Sequence, residues 1–138
     1  MKTRKILLPA HEKELSNKKF NYETYIIMSS NAKVDLRKDN ENRFFPKRRF
    51  IGKELAQKCG LSYPTFAKSL DYLIENKYIL EEEHRFIVKN KVQSDYVLID
   101  IEVIKRLLKE NMKNLVKVYV LYCKFFSMNS SNLSIFCC

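Results

Sequence analysis

The stretch IGKELAQKCGLSYPTFAKSLDYLIENKYIL, residues 51–80, predicts two helices joined by a tight turn. The apolar face of the first helix consists of Ile51, Leu55, Ala56 and Cys59. Gly60 then ends this helix, because glycine adopts a positive φ at low steric cost, as a sharp turn between helices requires. The chain contains only 2 glycines, so the position of this one is informative.

The second helix begins after the turn. Ser62 suits the N-cap, since its side-chain oxygen accepts from backbone N–H groups of the first turn, and Pro64 fits that turn. The predicted buried stripe is Phe66, Leu70, Leu73 and Ile74. The residues after Tyr78 predict a two-stranded hairpin whose tip runs from Glu81 to Arg85.

Three segments precede this core. Residues 20–34, FNYETYIIMSSNAKV, predict a helix with Asn21 as N-cap and with Tyr22, Tyr25 and Ile26 on one face. Residues 35–49, DLRKDNENRFFPKRR, show little periodicity and predict a loop or a short strand. Residues 1–19 predict an N-terminal arm that is either loosely packed or an edge strand.

The last third of the chain predicts a helical extension, residues 96–138. The segment DYVLID, residues 95–100, is strand-like, and Asp100 suits the N-cap of a helix that carries Ile104 and Leu107. A further helix, NLVKVYVLYCKFF, residues 114–126, is apolar almost all round. Such a helix is usually buried centrally or pressed against a partner.

The composition narrows the classes of partner. Lysine and arginine number 26 against 16 acids, a formal charge of +10, which favours a polyanion such as nucleic acid or an acidic surface. No stretch is long and apolar enough to cross a membrane, and the apolar run 6–8 is too short for a secretion signal. Cys59 and Cys123 fall in apolar helical patterns typical of reduced thiols, so we expect a cytoplasmic protein.

The sequence gives little support for an enzyme. His11 and His84 have no spaced partners suited to a metal site or an activated nucleophile. With Gly52 and Gly60 as the only glycines, a glycine-rich phosphate loop is excluded. We therefore predict no catalytic residue, metal, cofactor or small-molecule ligand.

The predicted order of helices, glycine turn and hairpin is that of a winged helix-turn-helix. Residues 62–79, SYPTFAKSLDYLIENKYI, resemble the recognition-helix signature of bacterial winged-helix proteins, with Phe66 at its aliphatic place and Lys68 at its basic place. Lys77 stands where that signature carries glycine. KELAQKCGLS is similar to the preceding helix of the family, with Ala56 and Gly60 four residues apart. The resemblance covers about residues 20–91, where cap, turn and both apolar stripes agree.

The predicted fold class is thus mainly α with a small β wing (α+β), a winged helix-turn-helix at residues 20–95 with a C-terminal helical extension. The resemblance implies binding of double-stranded DNA, with the helix that starts near Tyr63 in the major groove. Helical spacing independently selects its outer face, and the candidate base-reading residues are Tyr63, Pro64, Thr65, Lys68, Ser69 and Tyr72. The candidate phosphate-binding residues are Arg48, Arg49, Lys53, Ser62, Arg85 and Lys89.

Two alternatives stay open for this domain and its extension. Winged-helix domains also serve as protein-interaction modules that do not bind DNA, and Glu81, Glu82 and Glu83 at the hairpin tip would repel phosphates unless they point away. The extension is either a plain helix packed over the domain or the start of a truncated second winged helix. The latter is similar to plasmid and phage replication initiators, whereas a transcriptional regulator is the rival role. A homodimer through the C-terminal helix would cover its apolar surface.

Overall fold

The computed structural model describes residues 5–10, 12–35, 39–89 and 96–128, which form an α+β fold of helices and small antiparallel sheets. The helices are α1 (Glu12–Leu15), α2 (Tyr22–Asn31), α3 (Gly52–Cys59), α4 (Tyr63–Glu75), α5 (Ile101–Lys109) and α6 (Val116–Met128). The strands are β1 (Lys5–Pro9), β2 (Lys33–Asp35), β3 (Asp39–Pro46), β4 (Ile79–Glu81), β5 (Arg85–Lys89) and β6 (Tyr96–Asp100). Short 3₁₀ turns occupy Lys47–Arg49 and Lys113–Leu115.

Helix α2 is the central helix of the fold. The predicted cap is confirmed, because the Asn21 side chain accepts from the backbone N–H of Thr24 at 2.8 Å. The prediction of a single buried face is too narrow, since α2 packs against α3, α4, α6, β1 and β3. Its buried residues are Tyr22, Thr24, Tyr25, Ile26, Ile27, Met28, Ser29 and Ser30.

The turn between α3 and α4 has the predicted geometry. Gly60 has φ +71°, its N–H donates to Gln57 at 3.0 Å, and the N–H of Leu61 donates to Ala56 at 3.0 Å. This pair of hydrogen bonds satisfies the last carbonyls of α3. The prediction that Ile51 belongs to the apolar face of this helix is wrong, because Ile51 is 51% exposed. Ile51 precedes the helix with an extended backbone, so the helical spacing does not apply to it.

Two other helices end in the same manner. After α4, Lys77 has φ 67° and donates to Ile74, and the N–H of Tyr78 donates to Leu73 at 2.9 Å. After α5, Asn111 has φ 59°; its N–H donates to the carbonyl oxygen of Leu108, and the N–H of Met112 donates to that of Leu107. Asparagine tolerates this left-handed region, whereas lysine there carries a steric cost.

The four-stranded antiparallel sheet has the order β2-β3-β5-β4 and is larger than the predicted two-stranded wing. The β4–β5 hairpin agrees with the prediction, and the N–H of Glu82 donates to Arg85 at 2.9 Å across its tip. For residues 35–49 the strand alternative is correct and the loop alternative is wrong, because β3 pairs with β5; at 8 residues the strand is longer than expected. Apolar and polar residues hardly alternate in β3, because its two phenylalanines, Phe44 and Phe45, are adjacent. Phe45 is buried and Phe44 is half-buried.

A second sheet joins the N-terminal arm to the segment that precedes α5. Strands β1 and β6 pair antiparallel, with Leu8 opposite Val97. The edge-strand alternative for the arm is therefore correct, and loose packing is wrong at Leu8, which is buried together with Val97 and Ile99. The boundary predicted near residue 95 lies outside the described residues.

Helix α6 attaches to the rest of the fold by one apolar stripe and by lysines. Val116 and Val120 are buried in the core. Lys117 donates to the carbonyl oxygen of Asn17 at 3.0 Å, and Lys124 donates to that of Ala10. Lys113, on the 3₁₀ turn before α6, donates to the carbonyl oxygen of Gly60 at 2.9 Å. Among the helices of the described ranges, none has both the length and the apolar character to cross a bilayer.

Candidate nucleic-acid interface

Helix α4 exposes one face along the surface of the fold. Its start is fixed by Ser62, whose hydroxyl accepts from the backbone N–H of Thr65 and donates to the Thr65 hydroxyl oxygen at 2.9 Å. Phe66, Leu70 and Leu73 of the predicted stripe are buried, whereas Ile74 is only half-buried. The residues left exposed on the first two turns are Tyr63, Pro64, Thr65 and Lys68, with Ser69 half-buried. Of the six candidate base-reading residues, Thr65, Lys68, Ser69 and Tyr72 line one open groove, whereas Tyr63 lines a second one with Phe50 and Phe86.

Charge is distributed unevenly along this surface. Lys68 lies in the first half of α4, whereas Asp71 and Glu75 are exposed in its second half. A polyanion is therefore favoured only at the N-terminal half of the helix, where the helix dipole also carries its positive end. This is the half that helix-turn-helix proteins direct at base edges.

The N-terminal segment lies beside α4 and adds positive charge that sequence reasoning missed. An open groove of about 670 Å³ separates the two, and it is lined by Lys18, Lys19, Asn21, Thr65, Lys68, Ser69, Asp71, Tyr72 and Glu75. Lys18 and Lys19 are exposed. The sequence marks them only as a lysine pair far from the predicted helix, so nothing local could have placed them here.

Tyr72 lines this groove together with Thr65, Lys68 and Ser69. It is half-buried against the core, and its hydroxyl accepts a hydrogen bond from the side-chain amide of Asn17 at 2.7 Å. The Asn17 carbonyl oxygen in turn accepts from Lys117 at 3.0 Å. Tyr72 is therefore built into the contact between α4 and the N-terminal segment.

The start of α3 lies side by side with the start of α4. A Cβ atom added to Gly52 would lie 2.5 Å from Cε2 of the Tyr63 ring, so only glycine allows the ring to rest there. Lys53 follows directly and is exposed, as are Arg48 and Arg49 on the preceding 3₁₀ turn. Lys53 is thus on the helix whose start adjoins that of α4, and Arg48 and Arg49 are on the 3₁₀ turn that precedes this helix.

The acids at the hairpin tip are largely paired within the fold. Lys47 forms an ion pair with Glu81 at 2.9 Å, and Arg85 forms one with Glu82 at 2.6 Å. The Arg85 guanidinium also lies over the ring of Phe44, 4.4 Å from its centroid. These ion pairs reduce the repulsion expected between the tip and DNA phosphates. They also occupy the Arg85 guanidinium, which is paired with Glu82.

Lys89, the remaining phosphate candidate, lies at the opposite end of β5 from the tip and is half-buried. Its backbone carbonyl accepts a hydrogen bond from the Tyr25 hydroxyl at 2.6 Å. Neither Arg85 nor Lys89 is therefore grouped with the cations around α4.

Lys113 is a further cation that the sequence did not single out. Its ammonium group donates to the carbonyl oxygen of Gly60, and its side chain remains exposed. It therefore lies at the turn that leads into α4. The contact joins residues 53 positions apart, so no short motif could have indicated it.

The Cys59 thiol is buried and hydrogen-bonded within the fold. Burial raises the pKa of the Cys59 thiol to about 12, and Sγ donates to the carbonyl oxygen of Glu23 at 3.6 Å. Over the described ranges 5–10, 12–35, 39–89 and 96–128, no group of three or more His, Cys, Asp or Glu side chains could hold a metal ion.

Comparison of the chain with protein-family models, with curated proteins and with solved structures finds no match. Functional proposals for this chain therefore depend on its own residues and geometry, together with the resemblance of its α4 segment to a recognition helix.

Proposed function

We propose that this chain is a winged-helix protein that binds double-stranded DNA without catalysing a reaction. The observation that carries the proposal is the N-terminal half of α4, an exposed polar and basic surface with cations of three other segments around it. Those cations are Arg48, Arg49, Lys53, Lys18, Lys19 and Lys113.

The order of elements supports this fold assignment. Helices α2, α3 and α4 are followed by the β4–β5 hairpin, as in a winged helix, and β3 extends the hairpin into a sheet. The 13 residues of α4 extend over about 20 Å, enough to lie in a major groove about 12 Å wide.

The proposed roles follow from exposure and chemistry. Lys68 donates to guanine or to a phosphate, and Thr65 contacts a thymine methyl or a base edge. Ser69 lines the same groove, and Tyr63 and Pro64 are exposed at the start of the helix. Ser62 caps α4 so that its N-terminus points towards a phosphate, and the six cations named above contact phosphates of the DNA backbone. Tyr72 acts here as a positioning residue, and Arg85 and Lys89 are peripheral.

The biological process remains a choice between two proposals of one class. A plasmid or phage replication initiator and a transcriptional regulator would both use this surface, in the cytoplasm, on a specific DNA sequence. The arrangement of α4 favours neither of them.

Fluorescence anisotropy of a labelled mixed-sequence duplex, titrated at several salt concentrations, tests the proposal. The logarithm of the affinity should fall linearly with the logarithm of the salt concentration, with a slope of about −0.9 per phosphate contact. The full set of proposed cations would give a slope between about −4 and −6. No binding at about 50 mM salt would overturn the proposal and favour the protein-interaction module instead.

A further inference from the structure

An open groove lies between the C-terminal turns of α2 and α3 and one face of α5. Its volume of about 440 Å³ falls within the range of pockets that hold small molecules. It is separate from the groove beside α4, since the two have no described lining residue in common. We name it the lysine groove, after Lys58, Lys105 and Lys109, which line it.

The described lining of the lysine groove carries three positive charges and no negative charge. Lys58 belongs to α3, whereas Lys105 and Lys109 lie one helical turn apart on α5. The ammonium group of Lys105 lies 3.9 Å from the carboxylate of Glu102, and both side chains are more than half exposed, so this ion pair is weak. Within the described ranges, Lys58 and Lys109 form no ion pair. An anion in the groove would therefore meet little competition from carboxylates.

The wall that α2 contributes to the groove is fixed by hydrogen bonds inside that helix. The side-chain amide of Asn31 donates to the carbonyl oxygen of Ile27 at 2.8 Å, and the Ser30 hydroxyl donates to the same oxygen at 3.2 Å. Ile27 is buried and Leu108 is half-buried, so part of the groove is apolar. Because the donors of α2 are used within the helix, recognition of a charged ligand falls to the lysines.

The charge of the lysines exceeds that of the helix ends around them. Helices α2, α3 and α5 each contribute residues of their last turn to the groove, and a helix C-terminus carries about half a negative charge. Three such ends sum to about −1.5, so three lysines leave a surplus of about +1.5. The groove therefore favours an anion, although part of the lysine charge is balanced by the helix ends.

We propose that the lysine groove binds the phosphate groups of a small phosphorylated molecule. A phosphate monoester carries about −1.5 to −2 charges at pH 7, which matches the surplus better than a carboxylate or a phosphodiester with its single charge. The sequence gives no sign of this site, because α2, α3 and α5 come together only in the fold. The inference extends beyond DNA binding and does not depend on it.

Isothermal titration calorimetry of the full chain with inorganic pyrophosphate, without DNA and at about 50 mM salt, tests the proposal. Pyrophosphate should bind at one saturable site with a Kd below about 1 mM. Lys58→Gln and Lys109→Gln should each raise this Kd about threefold to tenfold, because each removes one ammonium group from the groove. Glutamine is a good helix former, and unchanged far-UV circular dichroism would show that the variants fold.

Arg106→Gln is the matched control. Arg106 is an exposed cation of α5 that does not line the groove, so the substitution removes the same charge from the same helix. Its Kd for pyrophosphate should remain within about twofold of that of the unsubstituted protein. Equal losses in Arg106→Gln and in the two lysine variants would show that binding follows overall charge and would overturn the proposal. The absence of saturable binding would also overturn it.

A DNA titration of the same variants identifies the source of the phosphate. Lys58→Gln and Lys109→Gln should bind a duplex as well as Arg106→Gln does, because the surface proposed for DNA does not include the groove. A larger loss in the two lysine variants would place a phosphate of the DNA backbone in the groove and would overturn the small-molecule ligand. Pyrophosphate binding by a chain that fails to bind DNA would contradict the proposed function alone.

Discussion

The side-chain amide of Asn17 donates a hydrogen bond to the hydroxyl of Tyr72 across 2.7 Å, linking residues 55 positions apart. The carbonyl of the same asparagine accepts from Lys117 of α6. Asn17 thus contacts both α4 and α6, and it holds Lys18 and Lys19 beside the exposed surface of α4. The basic character of that surface depends in part on this one contact.

Tyr72→Phe should lower the free energy of unfolding by about 1 kcal/mol, because it removes the acceptor for the Asn17 amide. It should also make the salt dependence of DNA binding less steep, since Lys18 and Lys19 lose their anchor. Urea unfolding and anisotropy titrations measure the two effects. Tyr63→Phe is the control for stability, and equal unfolding energies for the two variants would contradict the role given to Tyr72.

Lys68→Ala should weaken DNA binding and reduce the salt slope by about 1, as loss of one phosphate or base contact requires. Lys105→Ala is the matched control, because Lys105 is equally an exposed helical lysine but lies on α5. The two variants have the same net charge. Equal losses of affinity would show that binding follows overall charge and not the surface of α4.

The parts of the fold that could be predicted are those with local causes. The conformation of Gly60 and the caps at Asn21, Ser62 and Asp100 depend on residues within one helical turn, and each was predicted from its immediate neighbours. The buried stripe of α4 likewise follows from helical spacing alone.

The parts that could not be predicted depend on contacts between distant segments. Strand β3 draws its stability from pairing with β5, while its own apolar alternation is weak. The pairing of β1 with β6 joins segments far apart in the sequence, with Lys5 opposite Asp100. The positions of Lys18, Lys19 and Lys113 follow from the docking of other elements, so the sequence could indicate only the α4 and α3 portions of the surface.

Gly52→Ala should act through the Tyr63 ring. Alanine at a helical position stabilises by about 1 kcal/mol relative to glycine, but here its Cβ would lie 2.5 Å from the ring and displace it. In a Tyr63→Ala background the stabilisation should appear in full. Urea unfolding of the unsubstituted protein, Gly52→Ala, Tyr63→Ala and the double variant should give a coupling free energy of about 1 kcal/mol between the two positions. Additive effects of the two substitutions would contradict the contact.

Glu23 should make the stability depend on pH. Burial raises the pKa of the Glu23 carboxyl above its ordinary value of 4.5, despite hydrogen bonds and the nearby Lys113 and Lys117, which act in the opposite direction. The folded chain therefore binds the proton more tightly than the unfolded chain. This stabilisation is fully present below pH 4.5 and is lost as the pH rises through the higher folded-state pKa.

Glu23→Gln does not titrate, so its stability relative to the unsubstituted protein should increase between about pH 4 and about pH 7. Urea unfolding at both pH values measures this difference. A flat difference for Glu23→Gln would mean that the carboxyl is not desolvated.

Lys77→Gly should stabilise the protein. Lys77 has φ 67° after α4, in the position where the resembled signature carries glycine. A side chain in this region costs roughly 1–2 kcal/mol, and the greater freedom of glycine in the unfolded chain offsets part of the gain, so we expect a net increase of about 1 kcal/mol in the free energy of unfolding. Lys77→Ala keeps the Cβ and should gain little.

The reciprocal Gly60→Lys should lose about 1 kcal/mol or more, because the backbone there has φ +71°. Thermal and urea unfolding of the three variants measure these changes, and a loss of stability in Lys77→Gly would mean that interactions of the lysine side chain outweigh the strain of its backbone.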